Sequence, residues 1–212
     1  MSPNCAGCYL YWWLYVRNDV RHLGVANDVS LGQPPVLNDT AATTGLICLG
    51  PGTNGMISVG DEAPEFTAPL ANGEVADITL SDAVADGPVV LAFFPGAFTS
   101  VCGTELESFD DRLAEFADAG VTVYGVSIDT PFAQNAFREE LGLSFALISD
   151  SNREIIGAYD IAMDFTALGV HDLAKRAVFV VDEDRTVTYA WVSDDPGVEP
   201  DYEAVVAAAR DA

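Results

Sequence analysis

The sequence predicts an α/β fold in which a mostly parallel central sheet carries helices on both faces. Between residues 88 and 160, apolar strand-like runs alternate with segments of helical periodicity, and this order favours parallel strands joined by helices. Ahead of them, Asn72-Gly73 separates two strand-like runs, and this dipeptide is a strong signal for a β-hairpin. We therefore expect an N-terminal hairpin followed by strand–helix–strand repeats.

The predicted elements can be placed in order along the chain. The strands are expected at 66–70, 75–80, 89–94, 121–128, 145–148, 176–181 and 186–192, with the last one antiparallel to its predecessor. The helices are expected at 81–86, 103–119, 131–141, shortly after 150, and at 200–210. Ser81 and Asp150 are the predicted caps, Gly120 ends the second helix, and a loop is expected from Asp160 to Asp172.

Composition divides the chain into an atypical segment, residues 1–55, and a domain, residues 56–212. The segment holds three acidic and two basic residues, whereas the domain holds 30 acidic and seven basic residues. Pro and Gly interrupt the segment, and no periodic pattern persists in it. We favour a segment that is disordered or that results from a misassigned start codon upstream of Met56. The alternative is a redox or zinc site, for which the candidate residues are Cys5, Cys8, Cys48 and His22.

The charge of the chain excludes several classes of partner. The formal net charge is −24, and Lys175 is the only lysine. Such a surface repels nucleic acid and anionic lipid. It suits a folded protein of a high-salt cytoplasm, a halophile composition, because salt screens the self-repulsion. The apolar stretch from Cys8 to Val16 is too short to span a bilayer. We therefore expect a cytoplasmic protein that binds neither nucleic acid nor membrane.

Cys102 lies where the apolar strand ending at Phe94 passes into the next helix. Backbone N–H groups and the positive end of the helix dipole both favour a thiolate there, and the thiolate is the reactive form of cysteine. In α/β sheets, active groups gather beyond the carboxyl ends of the strands. These three arguments together predict that Cys102 is a nucleophile rather than an inert core residue.

Three other residues could assist a reactive thiolate at this position. Thr99 precedes Cys102 by three residues, so at helical spacing both side chains lie on one side, and a hydroxyl can both donate and accept. Pro95 lacks an N–H group and can shape the loop. Arg176 opens an apolar strand, where a guanidinium usually has a specific anionic partner. The alternative for Arg176 is a structural ion pair with a carboxylate.

The stretch Phe93-Phe-Pro-Gly-Ala-Phe-Thr-Ser-Val-Cys102 resembles the active-site signature of the peroxiredoxins, the alkyl hydroperoxide reductase and thiol-specific antioxidant family. Its Pro-x-x-x-Thr-x-x-Cys core falls on Pro95, Thr99 and Cys102, and the family's strand arginine corresponds to Arg176. The resemblance covers about residues 57 to 212. It implies a thioredoxin-like fold and a peroxidatic Cys102, which is oxidised to a sulfenic acid while the peroxide becomes water or alcohol.

The resemblance also carries two details of the site. Glu105 matches an acidic position of the bacterioferritin-comigratory and one-cysteine branches, where it would hold Arg176 or the peroxide water. Branches that resolve within one subunit often have a second cysteine five residues after the first, but here Glu107 stands in that place and no cysteine follows Cys102. Residues 56–212 therefore imply regeneration by an external thiol: a thioredoxin-like protein, a glutaredoxin-like protein or a small thiol. If the N-terminal segment is part of the protein, Cys48 or the Cys5/Cys8 pair is the alternative resolving thiol. Family members are commonly dimers or larger rings, so we expect a homo-oligomer.

Other functions remain as alternatives. Cys102 could sense peroxide and signal to a partner without efficient turnover. A thiol–disulfide exchange protein is less favoured, because residues 56–212 contain no Cys-x-x-Cys pair. A hydrolase using Ser100 and His171 lacks the Gly-x-Ser-x-Gly elbow, and no Gly-rich phosphate loop is present. We expect neither a cofactor nor a metal.

Overall fold

The computed structural model describes residues 55–166 and 169–212. The strands are β1 (Thr67–Asn72), β2 (Glu74–Thr79), β3 (Val89–Phe93), β4 (Thr122–Ser127), β5 (Ala146–Ser149), β6 (Ala162–Phe165), β7 (Val170–Ala174), β8 (Arg176–Val181) and β9 (Val187–Ser193). The helices are α1 (Leu80–Ala83), α2 (Ser100–Asp110), α3 (Leu113–Asp118), α4 (Pro131–Leu141), α5 (Glu154–Ala158) and α6 (Tyr202–Arg210), and a 3-10 turn at Val84–Asp86 follows α1.

Seven strands form one sheet in the order β2-β1-β5-β4-β3-β8-β9. Only the β3–β4 and β4–β5 pairs are parallel, whereas the other four pairs are antiparallel. The prediction of a mostly parallel sheet is therefore wrong. The α2–α3 segment and α4 cross over between the three central strands and make them parallel. Hairpins flank these strands on both sides, and each hairpin reverses the strand direction.

Helices cover both faces of the sheet, as predicted. Val89, Leu91 and Phe93 of β3 join one core with α1 and α5. Val90 and Ala92 join a second core, on the opposite face, with α2, α3, α4 and α6. The period-2 alternation of β3 explains this division, since successive side chains of a strand point to opposite faces. All five residues of β3 are buried, so the strand fixes the position of the chain that follows it.

The N-terminal hairpin is confirmed, with Gly73 alone between its two strands. Gly73 has a φ of 83°, a value that glycine adopts at little cost. The predicted cap Ser81 is wrong, because Thr79 holds the N-cap position and its Oγ1 accepts from the Asp82 N–H group at 3.0 Å. Arg153 and not Asp150 holds the N-cap position of α5, although the Asp150 carboxylate does accept from the N–H groups of Ile155 and Ile156 in the first turn of that helix.

Two further expectations differ from the structure. The helix expected at 103–119 is two helices, since α2 ends at Asp110 and α3 begins at Leu113, with Arg112 outside helical geometry between them. The loop expected from Asp160 to Asp172 contains β6, and β7 begins within it, so the two form a separate antiparallel hairpin. The other predicted strands and helices are present, with ends that differ by a few residues.

The division of the chain at residue 56 stays a prediction. Cys5, Cys8, Cys48 and His22, with nearly all of the N-terminal segment, lie outside the described residues. In the part of the chain that the structure describes, no helix is both long and apolar enough to traverse a bilayer. The same residues contain no group of three or more His, Cys, Asp or Glu side chains arranged to hold a metal ion.

Candidate active site

Cys102 lies in the first turn of α2, and six residues separate the start of α2 from the end of β3. Thr99 occupies the N-cap position with an extended backbone, and its carbonyl accepts from the Gly103 N–H group at 3.0 Å. The thiol is free and only 1% exposed. The structure thus places the sulfur at the N-terminal end of a helix, beyond the carboxyl end of a central strand, as the sequence predicts.

Arg176 brings a positive charge to this sulfur. It is the first residue of β8, which pairs with β3 so that Ala177 lies opposite Phe93. Its Nη2 lies 3.5 Å from the Cys102 Sγ, and the residue is 1% exposed. Its Nε and Nη2 also donate to the Pro196 carbonyl, at 3.0 and 2.7 Å. These bonds hold the guanidinium in one orientation in a region that excludes water.

Glu105 completes the cluster from the next turn of α2. Its Oε2 accepts a buried hydrogen bond from Arg176 Nη1, and the residue is fully buried. Its Oε1 has no hydrogen-bond partner among the described residues. Burial raises the pKa of Glu105 to about 8, although Arg176 opposes the shift. Burial alone would lower the pKa of Arg176, but the charges of Glu105 and Cys102 outweigh it and raise that pKa.

Thr99 and Pro95 lie at the rim of the same site. Both line a cavity of about 330 Å³ that also contacts Cys102 and Arg176. The Thr99 hydroxyl donates to the Gly96 carbonyl at 3.2 Å rather than to the sulfur, and Thr99 is exposed. Phe98, between them, has a φ of 61°, which is unusual for a bulky residue, and its ring packs on Phe137 with centroids 5.1 Å apart.

The β6–β7 hairpin supplies the apolar side of the cavity, which the sequence analysis missed. We call this side the hairpin wall, and its residues are Met163, Phe165, Val170 and Leu173. We give the name polar wall to Cys102 and Arg176, which also line the cavity, together with Glu105, which lies behind the lining and bonds to Arg176. Met163 and Phe165 alternate with exposed residues, and Gly169 has a φ of 65°. Alternating residues next to a glycine are therefore the sequence signal that could have indicated this hairpin.

Two residues considered in the sequence lie away from this chemistry. Glu107, in the place of a second cysteine, is exposed on α2. His171 is exposed on β7, and its Nδ1 is 3.2 Å from an Asp164 carboxylate oxygen. Ser100 lines the cavity but His171 does not. The described residues therefore bring together a thiol, a guanidinium and a carboxyl group, which suit nucleophilic attack by sulfur with stabilisation of a departing anion.

Comparison with known proteins gives a consistent result. The model of the AhpC/TSA family matches residues 59–190. The chain is 37% identical over 145 residues to a chloroplastic 2-cysteine peroxiredoxin of Chattonella marina var. antiqua, covering 65% of this chain and 71% of that one.

Solved structures agree with this match. The structure of peroxidoxin BcpB from Mycobacterium tuberculosis matches with a TM-score of 0.63 and 30% identity, over 72% of this chain and 96% of that one. The structure of Xanthomonas campestris peroxiredoxin Q matches with a TM-score of 0.60 and 28% identity, over 69% and 90%.

Proposed function

The chain belongs to the AhpC/TSA family and is a peroxiredoxin with a thioredoxin-like fold, and on this premise we propose that Cys102 is the residue at which it reduces peroxides. The family assignment makes the protein a thiol-dependent peroxidase. The observation that carries the proposal is the contact of Cys102 Sγ with Arg176 Nη2, in the lining of a cavity.

In the proposed reaction, the Cys102 thiolate attacks one oxygen of the peroxide. The S–O bond forms as the O–O bond breaks, so sulfur loses two electrons and the peroxide gains them. Cys102 becomes a sulfenic acid, and the departing oxide takes a proton to become water or an alcohol. Arg176 stabilises both the thiolate and the negative charge that develops on the oxygens, and burial strengthens these interactions. Pro95 and Thr99 shape the side from which the peroxide enters.

Glu105 acts in this proposal by fixing Arg176. Because burial raises the pKa of Glu105 to about 8, its carboxyl group is mostly neutral at pH 7. A neutral Glu105 accepts a hydrogen bond from Nη1 without cancelling the positive charge of the guanidinium. The charge of Arg176 therefore acts on the sulfur and the peroxide, while its orientation stays fixed by Glu105 and by the Pro196 carbonyl.

The cavity suits organic hydroperoxides as well as hydrogen peroxide. Hydrogen peroxide needs only the polar wall, whereas an alkyl tail can pack against the hairpin wall. Burying apolar tail surface there favours binding by about 25 cal/mol per Å². Both kinds of substrate thus place the peroxide group at the polar wall, and only organic hydroperoxides also contact the hairpin wall.

Regeneration depends on an external thiol in this account, either a thioredoxin-like or glutaredoxin-like protein or a small thiol. Cys102 is the one cysteine among the described residues, so no second sulfur within them can form a disulfide with it. We further propose a homodimer or larger oligomer in the cytoplasm. Exposed Phe98 and Phe132, which are 56% and 76% exposed, offer apolar surface for such contacts.

A turnover assay tests the proposal. Wild-type protein with a thioredoxin system or dithiothreitol should consume many equivalents of hydrogen peroxide and of cumene hydroperoxide, and Cys102→Ser should consume none above background. Consumption by Cys102→Ser would overturn the role of Cys102. Oxidation of one equivalent without turnover, with every reductant tried, would instead favour a peroxide sensor, a function for which the similarity to peroxidases gives no support.

A further inference from the structure

We propose that Asp129 is a positioning residue for peroxide reduction, because its carboxylate fixes the loop that carries Pro95 and Thr99. This inference rests on the proposed role of Cys102. Asp129 does not line the cavity and touches neither Cys102 nor Arg176 in the described contacts. It acts through the backbone of Ala97, in the middle of the loop.

The contact joins two distant parts of the chain. The Ala97 N–H group donates to Asp129 Oδ2 at 2.8 Å, across 32 residues of sequence. Residues 94 to 99 connect β3 to α2, and three of them, Pro95, Gly96 and Thr99, line the cavity. Among the described hydrogen bonds, the contact with Asp129 is the one that ties a backbone group of residues 95–99 to a side chain of another element.

The backbone at Phe98 explains why such a contact is needed. A φ of 61° is costly for a phenylalanine, and a costly conformation persists only where the surroundings determine it. The Asp129 bond fixes the residue before Phe98, and the first turn of α2 fixes the residue after it. Without the bond, Phe98 can relax, and the Gly96 carbonyl and the Thr99 hydroxyl bonded to it move with respect to the sulfur.

Asp129 is itself held rigidly at the carboxyl ends of the parallel strands. Ser127 Oγ donates to the same Oδ2 at 2.9 Å, and Ser149 Oγ donates to the Asp129 carbonyl at 2.6 Å. Buried Gln134 in turn donates to Ser127 Oγ at 3.0 Å and to the Ile148 carbonyl at 2.8 Å. These hydrogen bonds connect the loop to β4, β5 and α4, in addition to its covalent connection to β3.

The test compares two reactions of Cys102. Asp129→Ala should lower the second-order rate with hydrogen peroxide on the order of tenfold, since misplacing a group near the reacting atoms slows the reaction. Alkylation by iodoacetamide needs the thiolate but not the loop geometry, so its rate should stay within about twofold of wild type. A general loosening of the fold would instead raise alkylation, because Cys102 is buried.

Matched variants separate positioning from stability. Asp110→Ala removes a comparable carboxylate–backbone bond, from the Ser144 N–H group at 2.6 Å, and should leave the peroxide rate unchanged. Asp129→Asn retains an acceptor oxygen and should restore the peroxide rate to within about threefold of wild type. Asp129→Ala should have little further effect in a Thr99→Ala background, because the two changes disturb the same loop.

Each outcome decides the proposal. A wild-type peroxide rate in Asp129→Ala, or alkylation that changes as much as the peroxide rate, overturns it. If Asp129→Ala does not fold, Asp129→Ser serves instead, because serine keeps a polar side chain but lacks the carboxylate oxygen Oδ2 that Ala97 and Ser127 both contact, and the same loss is expected. A wild-type protein that does not react with peroxide would overturn the function of Cys102 itself, whereas equal activity of wild type and variant would overturn only the role of Asp129.

Discussion

The two walls of the cavity differ in how the protein holds them. The polar wall is buried, and its guanidinium is bonded to Glu105, to the Pro196 carbonyl and to the Cys102 sulfur. The hairpin wall consists of half-buried apolar side chains on a two-stranded sheet that is not hydrogen-bonded to the central one. From this difference we propose a division of tasks, in which the polar wall carries out the reaction and the hairpin wall selects the substrate.

The largest effect should follow from breaking the polar wall. Arg176→Ala removes the positive charge beside the sulfur and should slow the reaction with hydrogen peroxide on the order of 100-fold or more. Stopped-flow or competition kinetics would measure the rate. Arg185→Ala is the matched control, because Arg185 pairs with Glu62 and Glu65 away from the cavity and its loss should leave the rate unchanged. Equal rates for wild type and Arg176→Ala would show that Arg176 does not take part in the reaction with peroxide.

A smaller and selective effect should follow from changing the hairpin wall. Replacing Val170 and Leu173 by serine should raise the KM for cumene hydroperoxide about tenfold, because the tail loses apolar contacts. The rate with hydrogen peroxide should change by less than about twofold. His171→Ser, on the exposed side of the same strand, is the control and should alter neither value. Loss of activity toward both peroxides would show that the hairpin also supports the polar wall.

The smallest effect should appear in the pH dependence of the polar wall. Above about pH 8, Glu105 ionises, cancels part of the charge of Arg176 and repels the thiolate, so the peroxide rate should decline severalfold. Glu105→Gln should remove this decline. A decline that persists in Glu105→Gln would assign it to another group.

Glu105 should also make the free energy of unfolding depend on pH. A carboxyl group with a raised pKa in the folded state contributes stability that is complete below its ordinary value of 4.5. That contribution decreases as the pH rises from there and through the folded-state value of about 8. Urea unfolding at several pH values should show the decrease in wild type and a flatter profile in Glu105→Gln. Identical profiles would mean that Glu105 titrates with an ordinary pKa.

The sequence predicts the polar wall better than the hairpin wall for a physical reason. A fully apolar run before Pro95 and a helical pattern after Cys102 are local signals, and they place the thiol correctly at a strand–helix junction. Strand direction is not a local property, so the antiparallel pairing of β8 with β3 was not predicted. Met163 and Leu173 lie in short, half-buried strands. Apolar and polar residues alternate only weakly there, so the sequence pattern is hard to distinguish from that of a loop.

Long-range contacts were the least predictable part of the site. The pairing of Glu105 with Arg176 spans 71 residues and came from resemblance to a family rather than from pattern. The contact of Asp129 with Ala97 has no sequence signal, because an aspartate after a strand is equally expected as a helix cap or a turn residue. Asp129 and Ala97 follow the ends of β4 and β3, and they come together because these two strands are parallel neighbours in the sheet.

Trapping of the oxidised sulfur tests the central claim most directly. Wild-type protein treated with one equivalent of hydrogen peroxide and dimedone should gain one adduct per chain, located at Cys102 by peptide mass spectrometry, and Cys102→Ser should gain none. An unmodified Cys102 would contradict the account, as would an adduct elsewhere. A disulfide joining Cys102 to another cysteine of the same chain would contradict regeneration by an external thiol.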